Sequence, residues 1–554
     1  MESHALDSFE NGGVLMLAGM SALSAATENV QKVAVNTIAE IIVVSDKSYP
    51  NPFLDVTLDA VVIAADGEKL RVPAFWAGEN RWAFRFASNK VGLFTWTLDC
   101  SDTNNSKLHG RAGTIKVVAY GGQNDLYRHG PIRVAKGGRH FEHADGTPFF
   151  WLADTWWKCL CKRMTWEGFQ ELTVDRVVKG FTVVQIVCGP YPDERFLDPR
   201  LANEGGMPYE TRDFTVINPK YFDFADRRIS HLIDAGISPA IVGAWGRSDC
   251  NSMEAIGVEG LKRHWRYLVA RYGAYPVFWI LAGEIPDNTK WGEGQWAEVA
   301  NYLRNIDPYH RLLTCHTGQG RRGNAVDVNV IDFDMVGGNH DEKVAVQPAT
   351  LAILTEAYSR NPAMPVLVGE TCYEGHMQQG FGDTQRHIFW MNVLSGAAGH
   401  TYGAAGIWHV GVEDDPGHTG AWGSQYDWTT WTEGMNYSGA TQLGIARKLL
   451  ERYPWWRFEP HPEWAPGCLA AGIPGEVCFV YLPRRDIYTW DGPEIRGLDP
   501  DLEWHVYYFD PATGRKFDQG TTKAVAKDKS DPGVLFKKNV PSPQDWVLVL
   551  ERAK

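Results

Sequence analysis

Apolar and polar residues alternate along short segments between residues 28 and about 120. Every second residue is aromatic over 82–86, and the same period places apolar residues along 94–98. A period of two is typical of β-strands that bury one face. The segment 77–80, Ala-Gly-Glu-Asn, fits a hairpin turn between two such strands. These patterns predict an N-terminal β-sandwich.

The pattern changes near residue 148, where short apolar runs begin to alternate with segments of helical spacing. The runs are 149–153, 183–188, 239–244, 277–282, 312–315, 335–337, 366–369 and 400–403. Near-continuous apolar strands between amphipathic helices predict a parallel sheet covered by helices. Eight such runs predict a (β/α)8 TIM barrel. A doubly wound open sheet is the alternative, but it usually carries a glycine-rich phosphate turn after its first strand, which this sequence lacks.

The helical pattern ends near residue 456, and three further apolar segments read as strands. The predicted fold class is therefore α/β, a barrel flanked by an N-terminal β-sandwich and a small C-terminal β-sandwich domain. The predicted divisions are an N-terminal extension at 1–27, the β-sandwich at 28–125, the catalytic barrel at 126–456 and the C-terminal β-domain at 457–554.

The N-terminal extension leaves the location of the protein open. Residues 14–26 are uncharged and apolar, like the core of a signal peptide. The residues before them include Glu2, Asp7 and Glu10 and no basic residue, whereas a secretory signal begins with a basic region. We therefore favour a cytoplasmic location, with export as the alternative if 14–26 acts as a signal core.

Composition narrows the possible partners. The 54 basic and 67 acidic residues give a formal charge of −13 without a basic cluster, which argues against nucleic-acid and membrane partners. The 23 Trp residues suggest carbohydrate, because sugar rings stack on flat apolar faces, although Trp can equally pack sheets. The nine dispersed Cys residues indicate neither a disulfide framework nor a metal site, and we expect no cofactor. The oligomeric state stays open.

Two glutamates follow buried strands of nearly identical form. Glu284 follows the fourth apolar run and Glu370 follows the seventh, each directly after a glycine. Catalytic groups of barrels lie at the carboxyl ends of strands, and strands four and seven face each other across the mouth. Cleavage of a glycosidic bond needs such a pair, one acid to protonate the leaving oxygen and one carboxylate to attack or to activate water. The alternative for either glutamate alone is a solvated or ion-paired loop residue.

Other polar and aromatic residues at or near strand ends are candidates for substrate binding. They are Asp154, Trp156, Gln185, Trp245, His316, His340, Tyr402 and Trp408. Asp154 can instead cap a helix, the two histidines can be satisfied wall residues, and the tryptophans can pack the barrel rim. The sequence contains no Gly-x-Ser-x-Gly elbow, no His-Glu-x-x-His pair and no phosphate loop.

Several segments resemble the apiosidase-like glycoside hydrolases, (β/α)8 barrels of the DUF4038 type related to the retaining β-glycosidases. The similar segments are 145–156 (DGTPFFWLADTW), 218–222 (NPKYF), 279–284 (WILAGE) and 365–370 (PVLVGE). Residues 51–56, 72–76 and 82–86 resemble the DUF5060-type β-sandwich that often precedes such barrels. Residues 504–514 resemble a collagen-binding-type C-terminal β-domain.

The resemblance implies that Glu284 is the acid/base and Glu370 the nucleophile. Much of the larger clan has Asn directly before the acid/base, where it binds the sugar 2-hydroxyl. This sequence has Gly283 there, so another group must hold that hydroxyl.

The leading hypothesis is a retaining β-glycosidase acting on plant or microbial oligosaccharides or polysaccharides. A non-catalytic glycan-binding protein on a decayed barrel is the alternative. An inverting or transglycosylating enzyme is a third possibility. The sequence leaves the sugar, its linkage and the choice between endo and exo action undetermined.

Overall fold

The computed structural model describes most of the chain after residue 29. The described ranges are 30–192, 194–195, 197–245, 252–285, 291–317, 326, 328–419, 425–484, 492–526, 533–536 and 539–553. The apolar segment 14–26, on which the question of a signal peptide depends, lies outside them. No helix within these ranges is long and apolar enough to cross a membrane.

The N-terminal region is built from β-strands in two sheets. Its elements are β1 (Gln31–Ala34), β2 (Ala39–Val44), α1 (Pro52–Asp55), β3 (Leu58–Ala64), β4 (Lys69–Pro73), β5 (Phe75–Trp76), β6 (Arg81–Phe86), β7 (Gly92–Cys100) and β8 (Ala112–Val118). One sheet has the order β1-β8-β7-β3-β4 and the other the order β2-β6-β5. Both sheets contribute to one apolar cluster that includes Trp82, Phe84 and Trp96. The turn predicted at 77–80 joins β5 to β6.

Strand β6 is buried on both faces, whereas its alternating pattern predicts only one buried face. Trp82, Phe84 and Phe86 face the N-terminal core, and β7 follows the same alternation with its other face exposed. Ala83 and Arg85 of β6 are also buried, because this second face packs against the central region. The polar residue of this alternating strand, Arg85, therefore lies at the interface with the central region and not on a solvent-exposed face.

The central region alternates strands with helices. Its elements are α2 (Asp125–Arg128), β9 (Ile132–Val134), β10 (Phe141–His143), β11 (Pro148–Phe149), β12 (Trp151–Thr155), α3 (Trp166–Val178), β13 (Val183–Val187), α4 (Pro219–Asp234), β14 (Ser238–Val242), α5 (Ser252–Tyr272), β15 (Phe278–Ile280), α6 (Glu293–Ile306), β16 (Leu313–Thr314), β17 (Asp334–Gly337), α7 (Glu342–Ala345), α8 (Pro348–Ser359), β18 (Val366–Glu370), α9 (Gly382–Val393), β19 (Gly399–Tyr402), β20 (His418–Thr419), β21 (Gln425–Tyr426), α10 (Trp431–Met435) and α11 (Ser438–Leu450).

Eight of the central strands are parallel, whereas β9 to β11 and the β20–β21 pair are antiparallel. Six of the eight form one sheet in the order β16-β15-β14-β13-β12-β19, and β17 pairs with β18. The Asp332 N–H donates to the Leu313 carbonyl at 2.8 Å, and the Ala398 N–H donates to the Val366 carbonyl at 2.9 Å. The β17–β18 pair therefore lies between the two ends of the six-stranded sheet. Each predicted apolar run overlaps one of these eight strands, which confirms the α/β class.

Aromatic side chains fill the amino end of the parallel strands. The ring of Phe141, on β10, lies 5.9 Å from Trp151, 5.9 Å from Phe278 and 5.3 Å from Phe333. These residues lie at or just before the starts of β12, β15 and β17. Edge-to-face packing of this kind contributes beyond area burial alone. The amino end is thereby packed with apolar side chains, and polar side chains are found at the opposite end.

The C-terminal region is antiparallel. Its strands are β22 (Glu459–Pro460), β23 (Leu469–Ile473), β24 (Val477–Leu482), β25 (Glu494–Leu498), β26 (Glu503–Phe509), β27 (Lys516–Lys523), β28 (Gly533–Phe536) and β29 (Trp546–Arg552). Six form a sheet in the order β22-β23-β24-β29-β26-β27, and β25 pairs with β28. One face of the larger sheet joins the central core through Phe479, Tyr481 and Val549, among others.

Arg85 connects the N-terminal sheet to the central helices. Its guanidinium contacts Glu40 at 2.8 Å and Asp226 of α4 at 2.5 Å, and it donates to the Arg271 carbonyl at 2.7 Å. Arg271 of α5 also binds Asp226, at 2.8 Å. Two cations therefore share one carboxylate in a nearly dry interface, and removing that carboxylate would leave both buried cations with only partly exposed counter-ions.

Arg386 makes the equivalent connection to the C-terminal region. This residue of α9 binds both oxygens of Asp545, at 2.8 and 2.7 Å, and Tyr481 donates to the same carboxylate at 3.2 Å. The side chains of Arg386 and Asp545 are 11% and 5% exposed. The pair is bidentate and poorly solvated, the geometry in which an ion pair has the largest effect on stability.

We predict that Asp545→Ala lowers the free energy of unfolding by about 3 kcal/mol, because it leaves the Arg386 cation buried without its anion. Glu476→Ala is the matched control, since it removes an equally bidentate pair with Arg457 that is about half exposed. That loss should be below about 1 kcal/mol. Urea denaturation of the three proteins measures the difference, and equal midpoints for the two variants would contradict the prediction.

Candidate active site

Glu370 ends β18 and is held by three side chains. The Nε2 of His340 lies 3.2 Å from Oε1 of Glu370, and the Tyr373 hydroxyl donates to the same oxygen. The Nε2 of His316 lies 3.1 Å from Oε2, without the alignment of a directed hydrogen bond. The Glu370 side chain is 15% exposed, so these groups replace most of its water.

The surroundings of Glu370 favour its charged form. Burial by itself would raise the pKa of this carboxyl, but the contacts with His316 and His340 outweigh burial and hold the pKa well below its ordinary value. Burial and the Glu370 charge raise the pKa of Tyr373, which keeps its hydroxyl protonated as a donor. Glu370 is therefore a buried anion at neutral pH, the state a carboxylate nucleophile requires.

Tyr373 is a site residue that the sequence analysis missed. It lies three positions after Glu370, and its oxygen also accepts a 2.9 Å hydrogen bond from Nε1 of Trp157. Trp157 is buried beside His316, at a ring separation of 5.7 Å. Tyr373 lies beyond the strand end itself, in a loop whose residues carry no apolar pattern. The spacing Glu-x-x-Tyr was the available signal.

Glu284 lies just after β15, in a backbone conformation that is rare for a residue with a side chain. Its φ is +51°, in the left-handed region. Its Oε2 accepts a 3.0 Å hydrogen bond from Nε1 of Trp245. Sparsely populated backbone conformations cluster at functional sites, where the surrounding structure holds them in place. The carboxylate is half-buried.

The residue before Glu284 is glycine because Trp245 covers it. A Cβ placed on Gly283 would lie 2.2 Å from Cζ3 of Trp245, far inside contact distance. The two residues also form an isolated parallel bridge, with the Gly283 N–H donating to the Ala244 carbonyl at 2.9 Å. The indole ring thus occupies the space that an Asn side chain would need. This contact is the physical reason for the departure noted in the sequence.

Trp245 and His316 connect the surroundings of the two glutamates. Trp245 binds Glu284 through its indole nitrogen, and its ring lies 5.6 Å from that of His316. His316 in turn contacts Glu370. Five predicted site residues therefore form one connected group at the carboxyl ends of β14 to β18. They are Trp245, Glu284, His316, His340 and Glu370. Their roles in substrate binding stay predictions.

Three other predicted residues lie inside the protein. Asp154 is fully buried, and its oxygens contact Arg176 at 2.5 Å, the Thr155 N–H at 2.8 Å and the indole of Trp156 at 2.8 Å. Trp156 is fully buried as well. Gln185 is buried and donates to the Gly369 carbonyl at 3.0 Å, so it braces the backbone next to Glu370. Gln185 thus braces the site, whereas Asp154 and Trp156 form a buried cluster with Arg176.

Tyr402 and Trp408 lie to the side of the connected group. Tyr402 is buried and donates to Glu374 at 2.7 Å. The indole of Trp408 donates to Asp427 at 3.0 Å, and its ring lies 6.3 Å from that of Tyr373. Trp408 thus borders the site through Tyr373, whereas Tyr402 belongs to a separate buried network.

A buried histidine–aspartate pair next to His340 was also missed. Nδ1 of His376 lies 2.7 Å from Oδ2 of Asp427, and the His376 and His340 rings are 5.0 Å apart. Burial would raise the pKa of Asp427, but the bond with His376 lowers it below its ordinary value. Neither residue follows one of the eight apolar runs, and the short strand β21 before Asp427 has no apolar run to predict it, so their positions carried no signal in the sequence. Among the described residues, no group of three or more His, Cys, Asp or Glu side chains could hold a metal ion.

Two known family models match parts of the chain. The family model described as "Apiosidase-like, catalytic domain" matches residues 135–457, more than half of the sequence. The chain therefore belongs to the apiosidase-like family. A second model, the domain of unknown function DUF5060, matches residues 33–101. Both matches agree with the resemblance seen in the sequence. No curated protein matches the chain significantly.

Solved structures resemble the chain in fold. A candidate glycoside hydrolase from Bacteroides vulgatus superposes with a TM-score of 0.75 at 18% identity, covering 94% of this chain and 100% of its own. A glycoside hydrolase of family 5 from Bacteroides vulgatus gives a TM-score of 0.62 at 20% identity, covering 77% and 94%. A third structure, titled glycoside hydrolase, gives 0.61 at 21% identity, covering 76% and 97%. At these identities the likeness is one of fold.

We predict that Gly283→Ala lowers the free energy of unfolding by about 1–3 kcal/mol, because its methyl group would overlap the Trp245 ring. In a Trp245→Ala background the same substitution should cost much less, since the clash is gone. A double-mutant cycle in urea measures this coupling. Additive effects would show that Trp245 does not enforce the glycine.

Proposed function

We propose that this protein is a retaining β-glycoside hydrolase acting on plant or microbial glycans. Family membership and the fold of the solved relatives support glycosidase activity in general. The observation that carries the proposal is the ionised, donor-held Glu370 in the same connected group as Glu284. We further infer that the eight parallel strands close as a (β/α)8 barrel and that the flanking sheets form β-sandwich domains with the predicted boundaries.

In the first step Glu370 attacks the anomeric carbon while Glu284 protonates the leaving oxygen. A covalent glycosyl-enzyme forms and the aglycone leaves. In the second step Glu284 takes a proton from water, the water oxygen attacks the anomeric carbon, and the bond to Glu370 breaks. Trp245 orients Glu284 through its 3.0 Å hydrogen bond, and Tyr373 and His340 orient Glu370.

The surroundings of Glu370 suit a nucleophile better than a general acid. A general acid must hold its proton at working pH, whereas the histidine contacts keep the pKa of Glu370 low. Tyr373 donates to Oε1, the oxygen that His340 also contacts, which leaves Oε2 beside His316. We assign the attack to Oε2 on this basis, and the acid/base role to Glu284.

We predict that Glu370→Gln lowers kcat/KM at least about 1,000-fold without altering the fold, because an amide cannot form the glycosyl ester. The substrate is first identified by screening aryl β-glycosides and pectic, hemicellulosic and bacterial oligosaccharides with the wild-type protein. Glu503→Gln, at an exposed position of β26, is the control and should retain full activity.

Retained activity in Glu370→Gln would refute the assignment of the nucleophile. Proton NMR of the first-formed anomer separates the two stereochemical routes, and an inverted product would refute the double displacement. Binding of glycans without hydrolysis across the whole panel would instead favour a non-catalytic glycan-binding protein.

We predict that His340→Ala shifts the acidic limb of the kcat/KM profile to higher pH. The nucleophile must be ionised, so activity falls as the pH drops through its pKa. Losing the His340 contact removes one cause of the low pKa and leaves the effect of burial, which raises it. His109→Ala, between β7 and β8 of the N-terminal region, is the control. An unchanged acidic limb in His340→Ala would contradict the prediction.

A further inference from the structure

Trp428 is unusually exposed for a tryptophan of this protein. Among the residues that the structure describes, ten tryptophans are fully buried side chains of the core, including Trp157 and Trp279. Within the described ranges, Trp428 and Trp456 are the two that are more than a third exposed, at 59% and 38%. The tryptophans of this chain are therefore mostly packing residues, and Trp428 is the clear departure.

The backbone that carries Trp428 is firmly held. Asp427, with a left-handed φ of +63°, binds His376 and also accepts a 2.9 Å bond from the Met377 N–H. A Cβ on Gly411 would lie 2.2 Å from the Thr429 carbonyl oxygen, which shows how closely the two backbones pack. The exposed ring therefore projects from a rigid segment and needs little ordering before it binds a ligand.

Trp428 adjoins the candidate active site through a short series of contacts. Asp427 binds His376, the His376 ring lies 5.0 Å from that of His340, and His340 contacts Glu370. The His340 side chain is 36% exposed, so solvent reaches the His340 side of the site. An edge of the Trp428 ring lies next to Gly417, where a Cβ would approach it to 3.3 Å.

We propose that Trp428 is a stacking platform for a sugar ring of a polysaccharide, outside the position where Glu370 acts. One face of a pyranose ring presents C–H groups, whose hydrogens are attracted to the electron-rich face of an indole. A single exposed apolar residue is ordinary, but a rigidly mounted indole beside a candidate glycosidase site matches this ligand. The proposal deepens the proposed function, because it assigns the chain an extended glycan as substrate.

Native affinity electrophoresis tests this inference without relying on turnover. The Glu370→Gln protein is run through gels that contain glucomannan, xyloglucan, arabinoxylan or rhamnogalacturonan. We expect at least one of them to retard it, and adding Trp428→Ala to weaken the association roughly tenfold or more. Adding Trp428→Tyr should preserve most of the retardation. Adding Trp456→Ala should leave it unchanged, because Trp456 packs beside Trp455 at the amino end of β12, away from the carboxyl ends of the strands.

Equal retardation of the Glu370→Gln protein with and without Trp428→Ala would overturn the inference. Failure of all four polysaccharides to retard the protein would overturn it as well. Hydrolysis by the wild-type protein is measured separately. Binding that depends on Trp428, without hydrolysis of any substrate, would support the platform and refute the glycosidase proposal.

Discussion

A carboxylate that loses its water keeps its charge only if other groups compensate it, and this constraint governs the centre of the molecule. Glu370 lies at the end of a buried strand, where burial opposes ionisation. Two histidines and a tyrosine from three different loops supply the compensation. Each of these groups needs its own support: Trp157 holds Tyr373, and Gln185 holds the backbone before Glu370. The buried residues around the site serve mainly to keep one charge in place.

Much of this architecture could be predicted from the sequence because its physical causes are local. Apolar runs form the parallel strands, and the two glutamates stand out because each follows such a run directly. Long-range packing was the part that could not be predicted. Arg85 reads as a solvent-facing residue of an alternating strand, yet it is buried by helices more than 140 positions away. Asp154 reads as a ligand, yet Arg176 neutralises it in the interior.

The high tryptophan content is likewise explained mainly by packing in the interior. Composition suggested carbohydrate, but most indoles in the described part of the chain fill the cores of the three regions. Trp245 combines both roles, since it packs on Gly283 and also binds Glu284. Counting residues therefore could not separate packing from recognition. The exposure of each ring and the rigidity of its backbone separate them better.

The buried second face of the β2-β6-β5 sheet has a consequence for how this chain can change in evolution. Modules joined only by a linker can be exchanged freely between proteins. This sheet is different, because Glu40, Arg85, Asp226 and Arg271 form one charge-balanced unit across the boundary. A recombination event that replaced residues before 125 would remove one of the two cations that bind the buried Asp226, unless the incoming sheet brought a matching cation. The N-terminal region and the central helices are thus expected to be inherited together.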